Sequence, residues 1–359
     1  MSTFTIFVVV AVGIIAAAIL EAILDWIIKP KLLGKSKFLL FIFIFILIIV
    51  ATFATLLQLN YQQNLTTASS QPPAGASPTQ IQAGISTSGK IVFVSWRTGT
   101  PHVYIMNSDG SNQVRLTDLT YPEYAPRWSP DDRWVVLSSQ TGATACGSSQ
   151  TCAVWDILKV DVSSSQFVNL TNGYTLDNEA PAFSPDGHQV AFVAGLNDTS
   201  GHLVIMNQDG TDKSPTSVVS ANYPDWSPDG LKILFTSPWG SPSGVYTYNP
   251  ESGAVEKIIS GEVGSIAHWS SDGQLIAFSM KINGTEAIYT IHADGTGLTR
   301  LTYNSYNNSA PEWSEDGKWL AFTSDRDGNT EIYVMKTDGT SQERLTYSTS
   351  QNLWPDWSK

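Results

Sequence analysis

Trp226-Ser-Pro-Asp-Gly230 is a block that returns, with small changes, down most of the chain. Its aromatic-Ser core recurs at Trp128-Ser129, Phe183-Ser184, Trp226-Ser227, Trp269-Ser270, Trp313-Ser314 and Trp357-Ser358, in steps of 55, 43, 43, 44 and 44 residues. A period of that length holds four short strands and their turns, the content of one propeller blade.

One repeat reads Pro311-Glu-Trp-Ser314, a Glu-Asp-Gly turn, Trp319-Leu-Ala-Phe-Thr-Ser324, an Asp-Gly-Asn loop, Glu331-Ile-Tyr-Val-Met335, Asp338-Gly339 and Arg344-Leu-Thr346. Each run is β-branched or aromatic and is bounded by Gly, Asp, Asn or Pro, so four antiparallel strands follow. The Asp-Gly pairs at 186, 229, 272 and 316 supply residues that tolerate positive φ; Asp131-Asp132 lacks the Gly, which predicts a strained or differently shaped turn. An isolated four-stranded sheet cannot cover both faces, so the anchor aromatics are expected between blades. Eleven of the twelve tryptophans lie in this region, and all are read as interblade core rather than a ligand cage. The region opens on Gly89-Lys90-Ile91-Val-Phe-Val94, a second strand, and ends on Leu353-Trp-Pro-Asp-Trp-Ser358, a first strand. Pairing the two makes an all-β, six-bladed propeller closed by the C-terminal strand, with no exposed sheet edge left by an open array.

These repeats resemble the TolB-type six-bladed β-propeller family, in the Ser-Pro-Asp-Gly block, the Ile-Ala-Phe-x-Ser strand and the Ile-Tyr-Val-Met-Asn-x-Asp-Gly strand and turn. The resemblance covers about residues 89–359. It implies the fold and leaves the role open, since such blades occur in a periplasmic scaffold protein, in caps on serine peptidases and in sugar-acid lyases. Two departures stand out: Asn249-Pro-Glu-Ser-Gly253 replaces Asn-x-Asp-Gly in the fourth repeat, and the second repeat carries about 12 extra residues.

Ahead of the repeats, residues 1–60 read as a transmembrane hairpin with spans at about 4–28 and 38–59. The second span has 22 uncharged residues, roughly 33 Å of helix, enough to cross a hydrocarbon core. Glu21 and Asp25 lie near the end of the first, where side chains reach the interface and Lys29 stands one turn away; a contact of Glu21 with a partner helix is the sharper alternative. The connector Lys29–Lys37 holds four lysines and the flanks of the outer ends hold none, so both termini are expected extracytoplasmic, on the periplasmic or extracellular side. Residues 61–88 are an uncharged Ser/Thr/Pro/Gln-rich linker, with a flexible reach of about 30 Å.

With +2 on residues 1–60 and none on 61–88, the chain total of −12 leaves −14 on residues 89–359. That charge excludes nonspecific nucleic-acid binding and leaves basic peptides or divalent cations as candidate partners. Cys146 and Cys152 fall in the extra segment of the second repeat and are expected to form a disulfide in an oxidising compartment; no His stands nearby for zinc. Five Asn-x-Ser/Thr sequons, at Asn64, Asn169, Asn197, Asn283 and Asn307, fall on the outer side.

No Gly-x-Ser-x-Gly elbow is present; Gly240-Ser-Pro-Ser-Gly244 puts Pro242 in the nucleophile's place. The residue before each anchor is Arg127, Ala182, Asp225, His268, Glu312 or Asp356, a candidate mixed-charge ring around the axis. Its members either receive a peptide amine, a guanidinium or a cation, or pair with one another and with neighbouring backbone, the favoured role. Glu123, Asn178, Glu179, Asn222 and Asn352 are candidates for one mouth of the channel. Asp325-Arg-Asp-Gly-Asn329-Thr-Glu331 lacks the full ligand run of a calcium loop and reads as a hairpin loop. No catalytic or metal-ligating residue is assigned and no cofactor is expected; a channel Ca2+ or other cation is compatible with the ring but not predicted. The expected function is a membrane-tethered, extracytoplasmic scaffold for a protein or peptide on the outer side of the membrane. The alternatives are a metal-dependent lyase or hydrolase or a carbohydrate-binding module using the channel, with His268 as acid/base and Asp225, Glu312 or Asp356 as ligands, and an accessory subunit of a larger membrane complex.

Overall fold

The computed structural model describes residues 89–145, 151–175, 177–195, 201–237 and 243–358. The expected spans at 4–28 and 38–59, the linker at 61–88, Cys146, Asn64 and Asn197 lie outside the described residues. Among the described residues no helix is long and apolar enough to cross a membrane.

Among the described residues, twenty-four strands form six four-stranded antiparallel sheets. The first holds β1 (Lys90–Ser95), β2 (His102–Asn107) and β3 (Val114–Arg115); the second, β4 (Glu123–Trp128), β5 (Trp134–Ala145), β6 (Thr151–Asp161) and β7 (Phe167–Asn169). The third holds β8 (Asn178–Phe183), β9 (Gln189–Gly195), β10 (Gly201–Asn207) and β11 (Ser214–Val219); the fourth, β12 (Asn222–Trp226), β13 (Ile233–Ser237), β14 (Gly244–Tyr248) and β15 (Val255–Ser260). The fifth holds β16 (Val263–Trp269), β17 (Leu275–Ile282), β18 (Thr285–His292) and β19 (Thr299–Arg300); the sixth, β20 (Asn308–Trp313), β21 (Trp319–Ser324), β22 (Glu331–Lys336) and β23 (Glu343–Arg344). The last strand, β24 (Asn352–Trp357), returns to pair antiparallel with β1 as the innermost strand of the first blade. Each innermost strand packs on that of the next blade, and β24 packs on β4, so the circle closes as the strand order required.

The anchor block works as a turn clamp. Ser227 Oγ donates to Asp229 Oδ1 at 2.6 Å and accepts the Lys232 amide at 2.9 Å, while Asp229 Oδ1 accepts the Leu231 amide at 3.0 Å. The same three bonds recur at Ser129, Ser184, Ser270 and Ser314. The second repeat keeps this shape without its Gly, because Asp132 takes φ 55° where Gly230 takes 72°. In the first blade the clamp bridges the two ends of the repeat region: Ser358 Oγ accepts the Lys90 amide at 2.9 Å, and the Ser358 amide donates to Lys90 O at 2.8 Å.

Six apolar layers separate the blades, and each holds one anchor aromatic packed against the preceding blade. Trp226, for example, meets Ala191 and Leu203 of the third blade. The Asp-Gly turn between third and fourth strands completes the seam. A Cβ at Gly110, Gly210 or Gly339 would lie 2.6 Å from the carbonyl oxygen of the leucine in the preceding Leu-Thr pair, and all three glycines have φ of 81–85°. The fourth blade departs here too, since nothing lies within 4 Å of a Cβ at Gly253.

Candidate functional site

The innermost strands run from one face of the ring to the other. Antiparallel order then puts the loops between blades and the hairpins between second and third strands on the face where these strands begin, and the Ser-x-Asp-Gly turns on the opposite face. The channel is built in two layers below that first face.

The inner layer is the ring before the anchors. Arg127 reaches across it: Nη2 lies 2.8 Å from Asp225 Oδ1, Nε 2.8 Å from Asp356 Oδ1, and Nη1 3.5 Å from Glu312 Oε2. Its Nη1 also stands 2.6 Å from His268 Nδ1, on the blade diametrically opposite. The two aspartates serve the blades as well: Asp225 Oδ2 accepts the Trp269 amide at 2.9 Å, and Asp356 Oδ2 accepts the Trp128 amide at 2.6 Å. One side chain thus fills the axis and its counter-charges are tied to neighbouring backbone.

Burial and charge shift this ring strongly. Burial opposes the charge on Arg127, but Asp356, Asp225 and Glu312 outweigh it and hold the guanidinium more firmly protonated than usual. Burial also pulls Asp225 upward, yet Arg127 and His268 bring it below the ordinary carboxylate range. His268 is pushed down to about 4 by burial and by Arg127. Glu312 is raised well above its usual value by burial, with Asp356 and Asp225 adding to the effect against Arg127. Its Oε2 makes no hydrogen bond among the described residues, and His268 Nε2 stands 3.2 Å away.

The outer layer lies three residues before each anchor: Ala125, Ala180, Tyr223, Ile266, Ala310 and Trp354. Five of these have φ between 42° and 54°, a left-handed backbone that costs a non-glycine residue about 1–3 kcal/mol. Each of the five precedes a proline and sits at a break in strand register; Ile266, which precedes Ala267, does not share the conformation. Where three siblings are alanine and one is isoleucine, Tyr223 and Trp354 project aromatic bulk into the mouth. They come from the fourth and first blades, on opposite sides of the ring, yet their rings are 6.1 Å apart. Trp354 packs edge-on to Tyr124 at 5.4 Å, and Tyr124 meets Trp155 at 5.4 Å and Trp96 at 5.9 Å. Trp96, Trp155 and Trp354 are half-exposed in this cluster; Trp96 and Trp354 also pack against the layer between the first and second blades, so the reading of every tryptophan as interblade core holds only in part for these two and is corrected for Trp155.

The proposed mouth residues divide. Glu179 is exposed as a whole residue, but burial of its carboxyl, with the charge of Asp177 adding to it, pushes that group up to about 7. Asn222 is half-buried beside Tyr223. Glu123 is fully buried and not open to the mouth: Oε2 accepts the Val103 amide at 2.7 Å, the Thr117 hydroxyl donates to Oε1, and burial raises it to about 7. Asn178 donates to Trp155 O at 2.9 Å and Asn352 to Glu331 Oε2 at 2.7 Å, both buried. The Asp325–Asn329 segment is a hairpin loop whose oxygens meet protein donors: Asp325 accepts from Asn307, and Asp327 from Arg344 and Tyr333. Among the described residues no three His, Cys, Asp or Glu side chains form a group suited to a metal ion. Cys152 lies on β6 opposite Thr144.

The same face carries further aromatics in its interblade loops. Tyr121, Tyr303, Tyr306 and Tyr347 are, among the described residues, the exposed tyrosines, with Tyr303 at 69% and Tyr347 at 59%. All four lie between a fourth strand and the next innermost strand.

A profile of the TolB beta propeller domain matches residues 156–279 and 259–359. The Tol-Pal system protein TolB of Francisella tularensis is 32% identical over 122 residues, covering 33% of this chain and 26% of that protein. An uncharacterized peptidase, YuxL of Bacillus subtilis, is 27% identical over 136 residues, covering 30% of this chain and 20% of its own length. The chain therefore aligns with only about a quarter or less of these curated relatives. The crystal structure of TolB from Acinetobacter baumannii superposes with a TM-score of 0.65 at 23% identity, over 77% of this chain and 67% of that one, a likeness of fold.

Proposed function

The chain belongs to the TolB beta-propeller family, and from that premise we propose that it is a membrane-tethered, extracytoplasmic scaffold that binds a protein or peptide through its aromatic mouth face. The observation that carries the reading is the gathering of exposed Tyr121, Tyr303, Tyr306 and Tyr347 on the face that also presents Tyr223 and Trp354. Tyr and Trp supply large contact area at low conformational cost, and they are enriched where proteins meet. The channel itself is a weaker candidate, because Arg127 occupies its axis and its carboxylates hold backbone amides. Tethering rests on the apolar stretches at 4–28 and 38–59 and on the lysines between them. The Cys146–Cys152 disulfide belongs to the same reading, closing the tip of the long β5–β6 hairpin in an oxidising compartment.

Photo-crosslinking in native membranes tests it. A benzoylphenylalanine at Tyr306 is expected to give a discrete adduct, and one at Leu298, on the opposite face, is expected to give none. Equal adducts from both positions, or none from Tyr306, would remove the support for this face. Accessibility of a cysteine placed in residues 61–88 to an impermeant reagent on intact cells checks the orientation.

A further inference from the structure

Three Asn-x-Ser/Thr sequons fall among the described residues, and their side-chain bonding sorts them. Asn169, at the end of β7, is half-buried: its Nδ2 donates to Asp156 Oδ2 at 2.9 Å and its Oδ1 accepts the Thr171 amide at 3.1 Å. The hydroxyl of that sequon is engaged too, since Thr171 Oγ1 donates to Asp156 Oδ1 at 2.9 Å and accepts the Ile157 amide at 2.9 Å within a fully buried residue. Asn307 is exposed but held through both ends of its amide: Nδ2 donates to Asp325 Oδ2 at 2.8 Å, and Oδ1 accepts the Glu286 amide at 3.1 Å. Its sequon hydroxyl, Ser309 Oγ, lies 3.4 Å from Thr323 Oγ1.

Asn283 differs on each count. It is exposed, and with Gly284 it forms the two-residue turn of the β17–β18 hairpin, closed by the Ile282–Thr285 pair. Both turn residues have positive φ, 54° and 82°, the conformation in which an Asn-Gly pair joins two strands. Among the described residues neither the Asn283 amide nor the Thr285 hydroxyl bonds another group. Nothing lies within 4 Å of a Cβ placed on Gly284, and β17 and β18 run 8 residues each where β21 and β22 run 6, so the turn stands proud on the mouth face. Asn-Gly alone makes such a turn; the half-buried Thr285 hydroxyl, which the turn does not need, completes the acceptor pattern.

We propose that Asn283 is an N-glycan acceptor, receiving an oligosaccharide from a lipid-pyrophosphate donor on the folded propeller. Asn283 Nδ2 attacks the anomeric carbon, the bond from that carbon to the pyrophosphate oxygen breaks, the lipid pyrophosphate leaves, and the amide proton passes to a base of the transferase. The inference goes beyond the scaffold reading and rests on one part of it, the extracytoplasmic side, where glycans are added to surface turns.

The test is peptide mapping by mass spectrometry of the full chain purified from its native membranes. A sugar mass increment is expected on the peptide containing Asn283, with occupancy at least ~10-fold above that at Asn169 or Asn307, whose nitrogens must first leave a charged acceptor. Asn283→Asp, which keeps the turn, and Thr285→Val, which keeps the Asn, should each remove the increment, and Thr285→Ser should retain part of it. The folded chain in detergent, given a purified single-subunit oligosaccharyltransferase and a lipid-linked donor, should show the same order among the three sites. An unmodified Asn283 in native membranes, an increment that survives Thr285→Val, or equal occupancy of the three sites on the folded chain overturns the proposal. If Asn283 is bare while a cysteine in residues 61–88 is labelled from outside intact cells, the glycan fails and the orientation stands; if that cysteine is shielded, the extracytoplasmic reading fails with it.

Discussion

Arg127 occupies a position whose counterparts are Ala182, Asp225, His268, Glu312 and Asp356, so a single cation must serve several carboxylates across the axis. Removing one partner of a buried ion network leaves the others uncompensated, which costs about 3–5 kcal/mol. Arg127→Met is therefore expected to lower unfolding stability by that order in urea, and Arg127→Lys to recover only part, lacking the planar fork. The ring also sets a pH window. His268 has a folded-state pKa of about 4 against 6.5 for the free imidazole, so stability falls as pH drops through that interval, where the unfolded chain binds the proton more readily. Glu312 works in the other direction: its raised folded-state value makes its contribution full below the ordinary carboxyl range and lost as pH rises through the raised value. Glu312→Gln keeps the neutral shape, so its melting temperature should exceed wild type at about pH 8 and match it at about pH 4. A wild-type advantage at alkaline pH would show that Glu312 is stabilised as an anion. The ring's membership was legible from spacing alone. What the sequence hid is that Arg127 is long enough to cross the ring, and that Glu123, four residues earlier, turns away to hold the Val103 amide.

At the scale of strands and turns, the third-to-fourth-strand glycines join adjacent blades, and two of them form a matched pair. Gly210 needs both its φ of 85° and the absence of a Cβ that would lie 2.6 Å from Leu170 O, whereas Gly253 has φ 71° in open space. Gly253→Ala should cost only the left-handed penalty of about 1–2 kcal/mol. Gly210→Ala adds an overpacking cost of about 1–3 kcal/mol, so its melting temperature should fall clearly further. Equal shifts would mean that the seam relaxes without cost. This contact is invisible in sequence because it depends on how near the Leu-Thr pair of the previous blade comes. The Ala-Pro, Tyr-Pro and Trp-Pro pairs were visible, however, and the substitution of Tyr223 and Trp354 for alanine siblings was the signal of the mouth cluster. Treating every tryptophan as wedge filling obscured it, since burial follows from strand position rather than residue type.

Over the molecule as a whole, stability depends on closure, and closure depends on one strand. β24 supplies Trp357 to the layer between the sixth and first blades, Asp356 to Arg127 and to the Trp128 amide, and Trp354 to the mouth. Removing residues 352–359 would expose the edge of β1, leave Arg127 with fewer counter-charges and open the apolar face of the sixth blade. Open sheet edges beside bared apolar surface favour association between chains. The truncated protein is expected to unfold at lower temperature in a broadened transition and to form oligomers on size-exclusion chromatography. A synthetic peptide of residues 350–359 added in trans should restore the sharp transition, because its ladder with β1 and the Ser358 clamp to Lys90 need no covalent continuity with the sixth blade. Ser358→Ala in that peptide should weaken the rescue. If the truncated chain melts as the intact one does, the ring is held by its six interblade layers without the strap, and the mouth cluster would lose Trp354 while the fold survived.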